Sequence, residues 1–251
     1  MENSLEENNK IVDRIMTGSY DLNCWLNGGY EKDIITLIYG PPGCGKTNFV
    51  LLAACHQAKK EKKVVYIDSE GGFSVERVNQ ISGGLPEMVL KNIVILKPTN
   101  FHEQNEAFEK MLKELKSKNI GLIIVDSITM LYRLELADAR KQGITELQKI
   151  NSDLAQQMRS LFEIARKQEI PVLITSQIYS GFQSDEDFWS GKEAPIHVVG
   201  GDLLKYWCKT IIELDNFGGK KKATLKKHRS MPEKSLNFEI CNEGIRKRGW
   251  L

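Results

Sequence analysis

Gly40-Pro41-Pro42-Gly43-Cys44-Gly45-Lys46-Thr47 decides how this chain is read. The octet fits the spacing G-x-x-x-x-G-K-[ST]. It stands between an apolar, β-branched run, Ile34-Ile35-Thr36-Leu37-Ile38-Tyr39, and a helix-compatible run. Glycine lets the backbone curl until successive N–H groups point inward at an anion, and the helix that follows adds its positive amino end. In such a loop Lys46 can reach the β- and γ-phosphates of a nucleotide, and the Thr47 hydroxyl can ligate Mg²⁺. The nucleotide-binding candidates are therefore Gly40, Pro41, Pro42, Gly43, Cys44, Gly45, Lys46 and Thr47. Cys44 reads as a small filler or as an oxidation-sensitive thiol.

Length and composition narrow the class. The 251 residues fit one α/β domain with a large core, with residues 1–11 expected to be flexible. The stretch from Met1 to Lys10 is polar and acidic, unlike a signal or transit peptide, and no apolar run approaches the roughly 20 residues of a membrane helix. Five cysteines, an odd number with no C-x-x-C pair, argue against a disulfide framework or a zinc site and for a reducing cytoplasm. The net charge of +2 hides an asymmetry: Lys205–Leu251 holds 12 Lys+Arg against 5 Asp+Glu, a net +7 that leaves −5 for the rest. Clustered cations attract phosphate polymers by counterion release, although charge runs also serve simply as solvated faces.

Strand and helix patterns alternate along the chain. Strands are expected at 34–39, 64–67, 93–96, 121–126 and 171–176, and helices at 46–60, 101–118 and about 145–168. Phe101, Phe108, Met111, Leu112 and Leu115 share one helical face. Ile144, Leu147, Ile150, Leu154, Leu161 and Phe162 form the stripe of the long helix, opened by a capping box of Thr145 and Gln148. Fully apolar strands separated by helices mean a mainly parallel sheet covered on both faces. After residue 205 short strands at 209–214, 222–228 and 236–240 read as an antiparallel extension. Residues 178–202 lack periodicity and read as a long functional loop.

Phosphoryl transfer needs a metal clamp, an activated water and a γ-phosphate sensor. Asp126 closes the strand Gly121-Leu122-Ile123-Ile124-Val125 and suits the metal; its plainer role is a helix N-cap. Glu70 lies just past Val64-Val65-Tyr66-Ile67, at the carboxyl edge where open α/β sheets bind ligands, and could orient and deprotonate the attacking water. Asp68 competes for that role two residues earlier. Gln177 closes the strand ending Ile174-Thr175-Ser176 and could sense the γ-phosphate, relaying its presence to the loop that follows.

The ordered set resembles the recombinase core ATPases of the RecA/RadA superfamily, and within it the short archaeal RadB type. Thr17-Gly18-Ser19-Tyr20-Asp21 through Leu26-Asn27-Gly28-Gly29-Tyr30 is similar to their entry segment. Tyr66-Ile67-Asp68-Ser69-Glu70-Gly71-Gly72-Phe73 with Glu76-Arg77, then Leu122–Ser127, Ile174–Gln177 and Val199-Gly200-Gly201, continue the match from about residue 12 to 245. The resemblance implies an α/β fold of the RecA-like P-loop ATPase type, a mainly parallel central sheet flanked by helices with a C-terminal antiparallel extension. It implies ATP and Mg²⁺, weak hydrolysis, DNA binding, and a cytoplasmic accessory role in homologous recombination and repair. Partners would be single-stranded or branched DNA and the main recombinase or a junction resolvase, with homo-oligomers conceivable. It assigns Lys46, Glu70 and Gln177 to catalysis, Thr47 and Asp126 to the metal, and Arg77 to stacking on adenine. The basic position such proteins often carry after Phe73 is Ser74 here. The N-terminal helical DNA-binding domain and Phe-x-x-Ala linker that recombinases proper carry are not seen, so filament assembly and strand exchange are not expected.

The loop 178–202 corresponds to a DNA-gripping loop, yet it carries Asp185, Glu186, Asp187 and Glu193 against Lys192 alone. Phe182, Phe188 and Trp189 there could stack on bases or anchor a partner protein. DNA contacts are therefore sought at Arg140, Lys141, Lys220, Lys221, Lys222, Lys226, Lys227 and Arg229. Lys227 and Arg229, two apart, could instead face the γ-phosphate of a neighbouring subunit. Two other classes stay open: a nucleotide-gated protein-interaction module, and a KaiC-like or helicase-like ring ATPase.

Overall fold

The apolar runs pair side by side in the computed structural model, which describes residues 12–116, 119–180, 196–198 and 201–249. A small antiparallel pair, β1 (Arg14–Ile15) and β2 (Tyr30–Glu31), brackets α1 (Tyr20–Trp25). The main sheet is built from β3 (Ile35–Gly40), β4 (Lys63–Asp68), β5 (Ile93–Leu96), β6 (Ile120–Asp126), β7 (Val172–Ser180), β8 (Ile196–Val198), β9 (Thr210–Phe217), β10 (Lys220–Lys227), β11 (Lys234–Cys241) and β12 (Gly244–Lys247). Among the described residues its order is β12-β11-β10-β9-β3-β7-β6-β4-β5, with β8 paired to β7.

Helices alternate with these strands: α2 (Lys46–Lys59), α3 (Val75–Ser82), α4 (Pro86–Leu90), α5 (Phe101–Glu114), α6 (Met130–Gln142), α7 (Ile144–Gln168) and α8 (Gly201–Trp207). One face of the sheet packs on α2, which is buried nearly all round through Phe49, Val50, Leu51, Leu52, Ala53, Ala54 and Cys55. Such a helix is a core element rather than an amphipathic cover. The other face packs on α5, α6, α7 and α8. β3, β4, β6 and β7 are buried on both faces, which explains their unbroken apolar runs. Past β9 the strands show alternation instead: Ala223 and Leu225 point to the core while Lys222 and Lys226 are exposed.

The register sets up the site. Parallel pairing aligns Gly40 of β3 with Gln177 of β7, and Asp68 of β4 with Asp126 of β6. Four chain segments distant in sequence thus end at one carboxyl edge, the place where ligands bind in open α/β sheets.

Several expectations are corrected. The strand at 209–214 is parallel to β3, so the antiparallel extension starts only at β10; it also gains β12. The long helix begins at Ile144, capped by Gly143 without a side-chain bond, so Thr145 lies inside it and no Thr145–Gln148 box forms. Gly143, at φ 116°, leaves α6 and enters α7 within one residue, which is why the turn needs no polar cap. The helix predicted over 101–118 ends at Glu114, and Leu112 stands exposed beside its buried stripe, as does Ile144 on α7. Of the loop predicted at 178–202, residues 178–180 prolong β7 and 196–198 return against it. The acids and aromatics singled out between Phe182 and Glu193, like the flexible terminus predicted at 1–11, lie outside the described residues.

Candidate functional site

The phosphate-type loop leaves β3 at Gly40, and its path depends on that glycine. A Cβ there would come within 2.1 Å of the Leu214 carbonyl oxygen of β9 and 2.9 Å of Cys44 Sγ. Gly45 then caps α2 in the left-handed conformation with no side-chain bond to the helix amides, so the first N–H groups of α2 are left to an outside acceptor. Lys46 is buried, and its Nζ donates to the carbonyls of Gly40 at 3.1 Å and Pro41 at 3.0 Å. Cys44 is fully buried, and burial pushes its thiol upward against the pull of Lys46 and Lys221; it is the filler of the two readings. Lys221 of β10 reaches over to donate to the Gly43 carbonyl at 2.6 Å.

Asp126 sits beneath this loop with no exposure. Tyr66 Oη donates to its Oδ2 at 2.9 Å, and the hydroxyls of Thr175 and Thr47 also bond it. Burial nevertheless holds its carboxyl above the ordinary range, the three hydrogen bonds opposing that rise. Thr47 and Asp126 thus lie together, and space is kept open beside them: a Cβ on Gly72 would stand 3.2 Å from Thr47 Oγ1 and 3.8 Å from Asp126 Oδ2. A hydroxyl, a carboxylate and room for water form the sparse oxygen set that suits Mg²⁺, which takes one or two protein ligands alongside substrate phosphates. Among the described residues no cluster of three His, Cys, Asp or Glu forms a protein-only metal cage.

The structure separates the roles open to Asp68 and Glu70. Both Asp68 oxygens accept backbone amides, from Gly72 at 2.9 Å and Phe73 at 3.1 Å, so this buried acid closes its own loop. The Phe73 ring packs edge-on against Tyr66 at 5.1 Å, pinning the loop's far end. Glu70, at the loop's middle, receives a hydrogen bond from Gln177 Nε2 on Oε1. Its Oε2 is buried with no hydrogen-bond partner among the described residues. Burial raises the Glu70 carboxyl, Asp126 adds to this, and Lys46 and Gln177 act against it. The residues predicted as base and sensor are therefore in direct contact, and the unpartnered oxygen belongs to Glu70.

Arg77 lies on α3, whose N-cap is Ser74, the residue standing where a basic one was expected. Its guanidinium bonds Asn48, Gln80 and the carbonyls of Cys241, Asn242 and, at 3.4 Å, Gly244. These bonds tie α2, α3 and the β11–β12 turn together.

The basic candidates do not form one patch. Arg140 and Lys141 occupy the last turn of α6, at the tip of the α6–α7 hairpin, where cations also suit the helix dipole. Lys220, Lys221 and Lys222 stand beside the phosphate-type loop. Lys227 lies seven residues down the strand from Lys220, about 23 Å at roughly 3.3 Å per residue. Its Nζ donates to the carbonyls of Lys205 and Cys208, and Lys226 pairs with Glu233 at 2.9 Å. Arg229 falls past the end of β10, after a register shift between Leu225 and Lys227, so it does not share a regular strand face with Lys227. It pairs with buried Glu31 at 2.9 Å and with Asp33 at 2.7 Å, at the amino edge of the sheet.

Tyr66, Thr175 and Gly72 escape a reading of sequence alone. A signal existed: Tyr66 and Thr175 lie two residues before Asp68 and Gln177, so strand alternation puts each on the same face as a polar residue of the sheet edge.

Residues 8–248 match the Rad51 family. A DNA repair and recombination protein RadB of Methanococcus maripaludis is 45% identical over 221 residues, 88% of this chain and 94% of the relative. One of the same description from Methanobrevibacter smithii is 40% identical over 248 residues, 96% of this chain and 97% of the relative. A crystal structure of the RadB recombinase superposes with a TM-score of 0.72 at 33% identity, over 93% of this chain and 99% of that one. The chain belongs to the Rad51 family, and its fold is RecA-like.

Proposed function

We propose that this protein is an ATP-binding, slowly hydrolysing DNA-binding protein that serves recombination and repair, acting as an accessory rather than in strand exchange. The observation that carries the nucleotide chemistry is the meeting of Lys46, Thr47, Asp126, Glu70 and Gln177 at one sheet edge, with a buried, unpartnered oxygen on Glu70. The role in recombination is supported by family membership and by what its relatives are called. The main sheet, continuous from β5 to β12 through the described residues, supports a single ATPase domain.

In this reading the amides of the loop and of α2 cradle the phosphates of ATP, and Lys46 exchanges its carbonyl contacts for phosphate oxygens. Thr47 and Asp126 would hold magnesium, which would supply charge neutralisation for the phosphates. Glu70 Oε2 accepts a proton from the attacking water; the raised carboxyl makes it a better base than a solvated glutamate. Gln177 restrains Glu70 through Oε1 and stands where it can feel a γ-phosphate. Arg77 offers a flat cation to the adenine face. Single-stranded or branched DNA, a recombinase or a junction resolvase remain the proposed partners.

Glu70→Gln tests the chemistry: ATP affinity within about twofold of the parent and turnover lower by about 100-fold are expected. Unchanged turnover removes Glu70 as the base. DNA affinity measured across a salt series, with and without ATP, tests the rest, because phosphate contacts lose affinity steeply with salt. Binding that is indifferent to salt would favour an interaction module instead.

A further inference from the structure

Behind the Glu70 loop runs a line of buried amides that the phosphate site itself does not use. Ser69 Oγ donates to Gln104 Oε1 at 3.1 Å. Gln104 Nε2 donates to the Ile128 carbonyl at 3.1 Å and to Gln157 Oε1 at 2.8 Å. Gln157 Nε2 donates onward to Asn105 Oδ1 at 2.6 Å, and Asn105 Nδ2 reaches Asp153 Oδ2 at 3.3 Å.

Gln104 is 0% exposed, on the face of α5 that otherwise buries Phe101, Ala107, Phe108 and Met111. Burial alone would be served by leucine, since a carboxamide in an apolar layer is costly unless its groups are bonded. Here the oxygen and both N–H groups have partners, so the orientation of the amide is dictated from outside it. Its partners lie at two strand exits: Ser69 follows β4 and precedes Glu70, and Ile128 lies two residues beyond Asp126 of β6. The other ties of the loop among the described residues are internal or run to strands of the sheet, and Gln177 of β7 bonds the Glu70 carboxylate itself. Asp68 holds Gly72 and Phe73, Phe73 packs on Tyr66, and the Ser69 and Glu70 amides donate to the Asp126 carbonyl. Among the described residues, the bond from Ser69 to Gln104 is the side-chain bond that joins this loop to the α5–α7 layer.

We propose that Gln104 is a positioning residue for ATP hydrolysis: bonded to both strand exits, it sets where the Glu70 carboxylate stands relative to Asp126, with Gln157 of α7 bracing it. The inference rests on Glu70 being the water-orienting base. Displacement of a reacting group by about 1 Å can cost up to 100-fold in rate, and supporting hydrogen bonds supply that precision.

Ser69→Ala, Gln104→Leu, their double variant and Gln157→Leu provide the test, with turnover at saturating Mg-ATP and affinity for a non-hydrolysable ATP analogue measured for each. Ser69→Ala should lower turnover about tenfold with analogue affinity within about twofold of the parent. Gln157→Leu, which touches nothing in the phosphate site, should lower it by a smaller factor in the same direction. The double variant should be no slower than Gln104→Leu, because residues acting as a unit are non-additive. Full turnover in Ser69→Ala, losses that multiply, or affinity falling as far as turnover would each overturn the proposal. Should Gln104→Leu not fold, Ser69→Ala and Gln157→Leu decide the matter, full turnover in either counting against it. Glu70→Gln separates the two levels: normal turnover there removes the underlying assignment, whereas slow turnover there with a fully active Ser69→Ala removes only the positioning role.

Discussion

At the carboxyl edge of β3, β7, β6 and β4, polar residues far apart in sequence come within bonding distance of one another, Glu70 and Gln177 across 107 positions. Along β10 the reverse happens, and cations adjacent in sequence are drawn out from the phosphate-type loop at Lys221 to the amino edge at Arg229. The difference is geometric. Parallel strands in register bring their ends to one line, so a residue type at a strand end is information about place. A single strand spreads its residues at about 3.3 Å each and alternates their faces, so a charge run along it carries little such information.

Gly40→Ala strikes the convergent edge hardest. The new methyl meets the Leu214 carbonyl oxygen at 2.1 Å, which is backbone and cannot swing aside. A loss of about 3 kcal/mol in unfolding free energy is expected from denaturant titration, at the upper end of overpacking costs. A change below about 0.5 kcal/mol would mean that β9 does not press on this loop.

Arg229→Ala probes the dispersed region. Removing it strips buried Glu31 of one cation, for an expected loss of about 1–2 kcal/mol at neutral pH, while the more exposed Asp33 pair adds little. Burial acts upward on the Asp33 carboxyl, but the hydrogen bond and charge of Arg229, with the charge of Arg166, outweigh it and hold it below the ordinary range. A carboxyl lowered by folding contributes stability above its unfolded pKa and loses it as pH falls through the folded value. The deficit of Arg229→Ala should therefore shrink in acid. A deficit that stays constant down to the most acidic pH at which the protein folds would show that Asp33 takes no part.

How much of this was legible follows from the same contrast. The phosphate-type loop, Glu70, Asp126 and Gln177 could be singled out because each comes after an apolar run, where a polar residue marks an edge. Tyr66 and Thr175 were hidden inside such strands, where one aromatic or one hydroxyl passes for core. Gln104 was hidden more deeply, because a glutamine on a helix looks like surface until its neighbours are known. α3 and α4 were missed since each is short and the Gly83-Gly84 turn separates them, although Ser74 is an ordinary N-cap signal for α3. The antiparallel pairing of β10 and β11 was anticipated from their turns, but β12 was not, nor was the parallel pairing of β9, which depends on which strand β9 reaches.

The smallest expected effects belong to DNA affinity. Replacing Lys220 and Lys222 by alanine should lower the salt dependence of binding by up to about two phosphate contacts, since both are exposed. Replacing Lys226 and Lys227 should lower it less, because both ammonium groups already have partners within the chain. Equal losses in the two pairs would mean that β10 presents one continuous polyanion track and would erase the contrast drawn here.

The central claim is that the loop Gly40–Thr47 takes the phosphates of ATP with Lys46 as their cation. Equilibrium titration of Mg-ATP into the parent protein and into Lys46→Ala tests it most directly. Saturable binding in the parent, weakened at least about 100-fold in the variant as a buried charged hydrogen bond is lost, is the predicted result. Equal affinity in the two proteins, or no binding in either, would contradict it.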